Sequence, residues 1–376
     1  MQREIFLSGM GQTRFGEHWD KSLSDLMSEA IDTAITSSPC TALDIDLIIV
    51  GNMLGEIGSD QAQLGSLASS LLPHRPPAIR VESACASGSL ALHTACAFLE
   101  SGRAKTVLVV GAEKMTDVSP DVIAQALMGA ADAEADRPSG LTFPGIFGLI
   151  ASRYMYEYGL RREDLSLVSA VHHARSKENP FAQFRSEISP ETVSESALVA
   201  DPLRLLDCSP ISDGAAACIL STEHGSTIRI AASQIAADTL SLTHRPSITT
   251  FPATKEASEK ALLEARIKLS DIRFLETHDC FSIAALINLE DLGFADPGHG
   301  VDIYRRLYKR KSDAEILVNE SGGLKGCGHP VAATGIKQVI DVAKALCKSG
   351  ERFGLAHNFG GAAATCGIHI LEHTHA

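Results

Sequence analysis

Positive charge is in short supply. The 376 residues carry 33 Lys and Arg against 46 Asp and Glu, a formal net charge of −13. A protein that grips nucleic acid or an anionic membrane needs a basic surplus. Those partners are therefore excluded, and any anionic ligand must meet a local basic group. No apolar run approaches the roughly 18 residues of a membrane span, and no secretory segment opens the chain. No two of the nine cysteines are three apart, so a C-x-x-C metal or redox motif is missing. An odd number of thiols in a chain of this length argues against a disulfide framework and for a reducing compartment. Cytoplasm is the expected location, because the closing run LEHTHA carries no S-K-L-type address. Also missing are a P-loop, a G-x-S-x-G elbow and an H-E-x-x-H pair. Gly9-Met10-Gly11 is followed by Arg14 where a dinucleotide fingerprint needs glycine.

What is present is a pattern that occurs twice. EIFLSGMGQ reads as a strand, SLSDLMSEAIDTAITSS as an amphipathic helix and Asp44–Gly51 as a buried strand. STIRIAASQ, EASEKALLEARIKL and Asp271–His278 repeat that order. AIRVES then turns into a helix that stops at Gly102, and EILVNES leads through GGLKGCGHPVAATG into one that stops at Gly350. KTVLVVGAE and SDGAAACIL close the first copy; RFGLAHNFGG and GAAATCGIHIL close the second as a tight hairpin. Alternating strands and helices predict a mostly parallel sheet in each half. Two such halves predict a five-layer α-β-α-β-α stack with helices shared between the sheets. The first copy is interrupted by an insertion. The expected division is 1–118 for the first part of the N-terminal half, 119–203 for the insertion, 204–225 for that half's last strand and 226–376 for the C-terminal half. The insertion holds a basic group, including Arg153, Lys177 and Arg185, which is either a solvated face or an anion site.

Four segments offer chemistry, each beside a plain structural reading. Cys85 lies in ESACASGS at a strand-to-helix turn, where unpaired helix N–H groups would lower a thiol pKa; a lone cysteine is otherwise core filler. His278-Asp279-Cys280-Phe281 puts two titratable groups around a carboxylate at the end of a buried strand, or forms an ordinary turn. Gly326-Cys327-Gly328-His329-Pro330 fixes a histidine in a tight loop. His357-Asn358-Phe359-Gly360-Gly361 would present backbone N–H groups to an oxyanion, or is a glycine-rich hairpin. Cys40, Cys96, Cys208, Cys218 and Cys347 read as packing, and Cys327 and Cys366 as structural.

ESACASGSLAL, HDCFS, NESGGLKGCGHPVAATG and HNFGGAA, in that order, resemble the thiolase family, in particular the subgroup related to the sterol-carrier-protein thiolases. HHARSKENPFAQF and LLDCSPISDGAAA resemble that subgroup's loop domain. The resemblance implies a thiolase-like α/β fold, coenzyme A thioesters as substrates, a homodimer or homotetramer, and no metal or other cofactor. It implies Cys85 as the nucleophile, His329 as its base and Cys280 as the acid/base at the substrate α-carbon. His278 falls where many thiolases have an Asn that anchors an oxyanion-hole water, and Asn358 lines the site. Two oxyanion holes follow, one from His278 and His329 and one from the N–H groups of Cys85 and Gly360. Arg153, Lys177 and Arg185 are the expected phosphate holders. Ala332 stands where the family usually has glycine, and its methyl is expected to narrow the acyl or pantetheine space. The alternatives weighed are a decarboxylating or acyl-carrier condensing enzyme, which HDCFS and GHP argue against, and a non-catalytic or complex-dependent acyl-CoA-binding relative.

Overall fold

Both copies of the repeat become five strands of one sheet. The computed structural model describes residues 3–309 and 316–374; Glu315 of the EILVNES reading and the last two residues of LEHTHA lie outside them. The strands are β1 Phe6–Gln12, β2 Leu47–Gly51, β3 Ala78–Val81, β4 Thr106–Glu113, β5 Leu198–Ala200, β6 Leu203–Arg204, β7 Gly214–Ser221, β8 Ile228–Ala237, β9 Ile272–Glu276, β10 Leu317–Val318, β11 Phe353–Gly360 and β12 Thr365–His373. The main sheet runs β10-β9-β11-β12-β8-β1-β7-β4-β2-β3, while β5 and β6 form a small hairpin in the insertion. The two halves are thus mirror orders of one plan, and they join through a Phe6–Arg229 pairing between β1 and β8.

The expectation of a mostly parallel sheet needs correction. β2, β3 and β4 are parallel, as are β9, β10 and β11. The returning strands β7 and β12 are antiparallel to both neighbours. Only a short turn separates β11 from β12, and a hairpin can connect only antiparallel strands; β7 takes the equivalent place after the insertion.

Helices Ser87–Glu100 and Thr334–Ser349 lie against each other and against strands of both halves, forming the shared middle layer. Helix Leu23–Thr36 covers β1 and β7 on one outer face, and Pro252–Ala265 covers β8 and β12 on the other. Leu23–Thr36 begins where the sequence says it should. Ser22 caps it, with the Asp25 N–H donating to Ser22 Oγ and the Asp25 carboxylate accepting from the Ser22 N–H. Its apolar stripe Leu26, Met27, Ala30, Ile31 and Ala34 is buried. The chain leaves the first half after Glu113 and returns at Gly214. In between, helices Phe143–Tyr158 and Arg162–Ser176 pack on helix Ser282–Asp291 of the second half. The insertion carried by one half therefore roofs the other.

The seam between halves is set by glycine. A Cβ on Gly88 would sit 2.2 Å from the Ala332 carbonyl oxygen, and one on Gly111 2.3 Å from the same atom. The Ala332 carbonyl fills a slot that only hydrogen atoms leave open. Gly111→Ala is expected to destabilise the fold by about 1–3 kcal/mol through overpacking. Gly129→Ala, with nothing within 4 Å of the new methyl, serves as the neutral control. Thermal unfolding of the two variants checks this; equal melting temperatures would show that the slot has slack.

Candidate active site

The turn after β3 is wound tightly before helix Ser87–Glu100. Ala84 takes a left-handed φ of 49°, and the Ser87 hydroxyl closes the turn. It accepts from the Ser83 N–H at 2.9 Å and donates to the Ala84 carbonyl at 2.6 Å. Cys85 sits at the crest, half-buried and facing a cavity. The strand end of the second half presses against it: a Cβ on Gly360 would lie 2.4 Å from the Ser83 carbonyl oxygen. The backbone N–H that bonds the Cys85 thiol belongs to Gly361, the neighbour of the expected Gly360. The thiol pKa is pushed up to about 12, chiefly by burial, with Glu113 and Glu82 adding to the rise and the Gly361 N–H opposing it. The helix terminus was expected to lower it; desolvation outweighs that effect here.

Two histidines converge on this thiol. The Cys85 sulfur and one ring nitrogen each of His278 and His329 all lie within 4.8 Å of one another. Their outer hydrogen bonds assign their roles. Thr334 Oγ1 donates to the Pro330 carbonyl at 3.0 Å, so it accepts from His329 Nδ1–H at 2.7 Å. His329 Nε2 is left with a bare lone pair and no protein partner. The Asn358 amide nitrogen donates to His278 Nδ1 at 2.8 Å, so the His278 proton is on Nε2, also without a partner. One imidazole offers a base and the other an N–H donor. Burial pushes the His329 pKa down to about 4 and holds His278 well below the usual imidazole value. Both rings are neutral at pH 7. A soft metal site can have the same composition of one thiol and two imidazoles. Here one of the two inward nitrogens carries a proton, which arranges the set for proton transfer.

Cys280 follows β9 and opens into the same cavity. Its pKa is raised well above the usual thiol value by burial, with Cys85 adding to the rise and Lys325 opposing it. Asp279, between His278 and Cys280, turns away from the cavity. It pairs with His172 Nδ1 at 2.7 Å and accepts from the Leu324 N–H at 2.7 Å, so it anchors the start of helix Gly323–Cys327. Asn358 is buried behind His278 and forms no part of the cavity wall.

The cavity has a volume of about 500 Å³. Phe143, Phe147, Phe281, Leu127, Met115 and Val331 make its walls apolar, and the insertion supplies much of the roof. Phe147 and Phe281 are stacked with ring centroids 4.5 Å apart. Among the described residues that line it there is no lysine or arginine. Arg153 is paired with Glu157, Lys177 with Glu187, and Arg185 donates to the Lys177 carbonyl, all away from the wall. Ala332 corrects another expectation: its side chain is fully buried at the seam and does not narrow the cavity. Two thiols read as packing also differ. Cys208 lines the cavity, and Cys347 is exposed. Sequence reasoning missed Thr334 and Lys325. Only Lys325 left a signal, a charge inside a run of small residues.

Known proteins are similar to this chain over nearly its whole length. Residues 7–224 match the thiolase N-terminal domain and residues 235–373 the thiolase C-terminal domain-like family. An acetyl-CoA acetyltransferase of Methanothermobacter thermautotrophicus is 41% identical over 98% of this chain and 100% of its own. Human sterol carrier protein 2 is 31% identical over 95% of this chain and 70% of its own. Among solved structures, the Ltp2-ChsH2(DUF35) aldolase superposes with a TM-score of 0.84 at 22% identity, covering 98% of both chains. The acetyl-CoA acetyltransferase of Syntrophomonas wolfei superposes with a TM-score of 0.73 at 18% identity, covering 99% of this chain and 100% of that one. The duplicated sheet, the site drawn from both halves and these full-length matches agree: the chain belongs to the thiolase family.

Proposed function

We propose that the chain is an acyltransferase that cleaves or forms 3-ketoacyl-CoA through an acyl-Cys85 intermediate. The observation that carries this is the convergence of the Cys85 thiol with one basic and one donating imidazole, with Cys280 opening into the same cavity. In the degradative direction His329 Nε2 takes the Cys85 proton, and the thiolate attacks the 3-keto carbon. The resulting oxyanion is held by backbone N–H groups of the Cys85 turn and of Gly360 and Gly361. The carbon–carbon bond then breaks. Its electron pair passes to the acetyl-CoA enolate, whose oxygen is met by His278 Nε2–H and the protonated His329. Cys280 protonates the α-carbon, and acetyl-CoA leaves. Coenzyme A gives its thiol proton to the Cys280 thiolate and attacks acyl-Cys85; the thioester bond to Cys85 breaks, acyl-CoA leaves, and the Cys85 thiolate takes back the proton held by His329. Synthesis runs the same steps backwards, in a ping-pong order.

A homo-oligomer fits the free sheet edge at β3, where Ile79 is exposed. Reducing surroundings fit nine cysteines that are all unbridged. Among the described residues, no helix is long and apolar enough to cross a membrane. A complex-dependent reading has its own support. Leu198, Val199 and Leu205 are exposed, the latter two at the cavity, and among the described residues the wall offers no Lys or Arg to the coenzyme phosphates.

Incubation with acetyl-CoA is expected to add one acetyl group to the wild type by intact mass and none to Cys85→Ala. A wild type that neither gains this adduct nor thiolyses any 3-ketoacyl-CoA would sink the catalytic reading and favour the complex-dependent one. Cys280→Ala is expected to keep the adduct while carbon–carbon chemistry falls by roughly 10²–10⁴, the usual worth of a general acid/base. Full thiolysis by that variant would remove Cys280 from the role. The histidine base is lost only as pH falls through its lowered value. Cys85 acylation should therefore show no inflection at the ordinary imidazole value and decline only toward pH 4. A rate profile measured from pH 4.5 to 8 checks this.

A further inference from the structure

Lys325 is 1% exposed, inside the short helix Gly323–Cys327 that leads to His329. A buried ammonium is costly unless its charge has a use. Its donors go to backbone carbonyls: that of Asp207, and that of Cys280 at 3.3 Å. Its nitrogen also lies 6.0 Å from the centre of the Phe281 ring. The neighbouring carboxylates are committed elsewhere. Asp279 holds His172 and the Leu324 N–H, and Asp207 holds Arg162 and the Arg204 N–H. Burial lowers the Lys325 pKa, and Cys208, Asp279, Asp207 and Cys280 oppose the fall; among the described residues no close ion pair consumes its charge, which lies beside the Cys280 carbonyl.

We propose that Lys325 is a positioning residue of the reaction: its ammonium fixes the Cys280 backbone and supplies a buried positive charge that steers the Cys280 thiol and the enolate formed beside it. This rests on the thiolase reading above. The groups facing that charge are His278, Asp279 and Cys280 after β9, His172 and His173 on the insertion helix, Asp207 and Cys208 on the returning chain, and His329 beyond its own helix. A positive charge favours the neutral imidazole, the thiolate and the enolate alike. It favours the base form of His329, the donor form of His278 and the charge-bearing forms of Cys280 and substrate. A preorganised charge in an apolar site needs no rearrangement as the enolate forms. The carbon–carbon step depends on it, and acylation of Cys85 depends on it much less, because Lys325 touches the Cys280 carbonyl.

The test compares Lys325→Met, which keeps the length and drops the charge, with Lys325→Arg, which keeps the charge. Two rates are followed in each: Cys85 acetylation by intact mass, and deuterium exchange into the acetyl-CoA methyl group from pH 6 to 9.5. Lys325→Met is expected to acetylate within about threefold of wild type. Its exchange should fall by ten- to a hundredfold at pH 7.5, with the alkaline rise displaced to higher pH. Lys325→Arg should recover at least tenfold of that loss. Exchange by Lys325→Met at the wild-type rate and pH profile would overturn the proposal, as would an Arg variant as slow as Met when both acetylate normally. If Lys325→Met does not fold, Lys325→Arg decides: a wild-type pH profile supports the role of charge, and a displaced one overturns it. A wild type that forms no adduct overturns the thiolase reading and this one with it.

Discussion

One carbonyl oxygen sets the distance between the two halves. Ala332 O occupies the space over Gly88 and Gly111, where any side chain would clash. Gly88 lies three residues after Cys85, and Ala332 lies three after His329. The contact that seals the seam is thus also the contact that holds the Cys85 turn and the His329 loop in register. Gly335 repeats the device, since a Cβ there would meet the Ser89 nitrogen at 2.6 Å. Backbone against backbone has no rotamers to absorb error. The middle helices therefore cross in one way, and the reacting groups inherit that precision without a direct bond between them.

Around that fixed frame, burial does most of the electrostatic work. Desolvation keeps both thiols protonated and both imidazoles neutral. The two thiols and two imidazoles at rest therefore carry no charge of their own, and the buried Lys325 ammonium is the charge set beside them. Direction comes from hydrogen bonds a layer further out. Thr334 and Asn358 never reach the cavity wall, yet they decide that one ring is a base and the other a donor.

The strand and helix order was legible because period and punctuation agree, as in Ser22 to Asp25 and in the stops at Gly102 and Gly350. That Cys85, Cys280 and His329 would come together at one cavity was legible from glycine and small residues around Cys85 and His329 and from the strand end that carries Cys280. The sheet's mixed direction was less so, because pairing geometry is a property of the return path rather than of any one strand. The direction of the Cys85 pKa was misjudged for a related reason: a helix terminus is visible in sequence, whereas the apolar roof that outweighs it comes from a distant insertion. Basic residues on that insertion suggested a phosphate site, but each found a local acidic or backbone partner. Asp279 looked chemical from its neighbours, and only its pairing with His172 and the Leu324 N–H shows it as an anchor.

The excursion between β4 and β7, within which the expected insertion 119–203 falls, leaves after Glu113 and returns at Gly214, and those two residues are paired across the two strands. Its two ends are therefore side by side, on strands that already hold each other. Between those anchored ends the same stretch builds much of the cavity roof and grips the loops beneath it: His172 pairs with Asp279, the Ser209 N–H donates to the Cys280 carbonyl, and the Ser212 hydroxyl accepts from the His329 N–H. Roof and reacting loops are therefore clasped by one excursion whose two ends meet on paired strands.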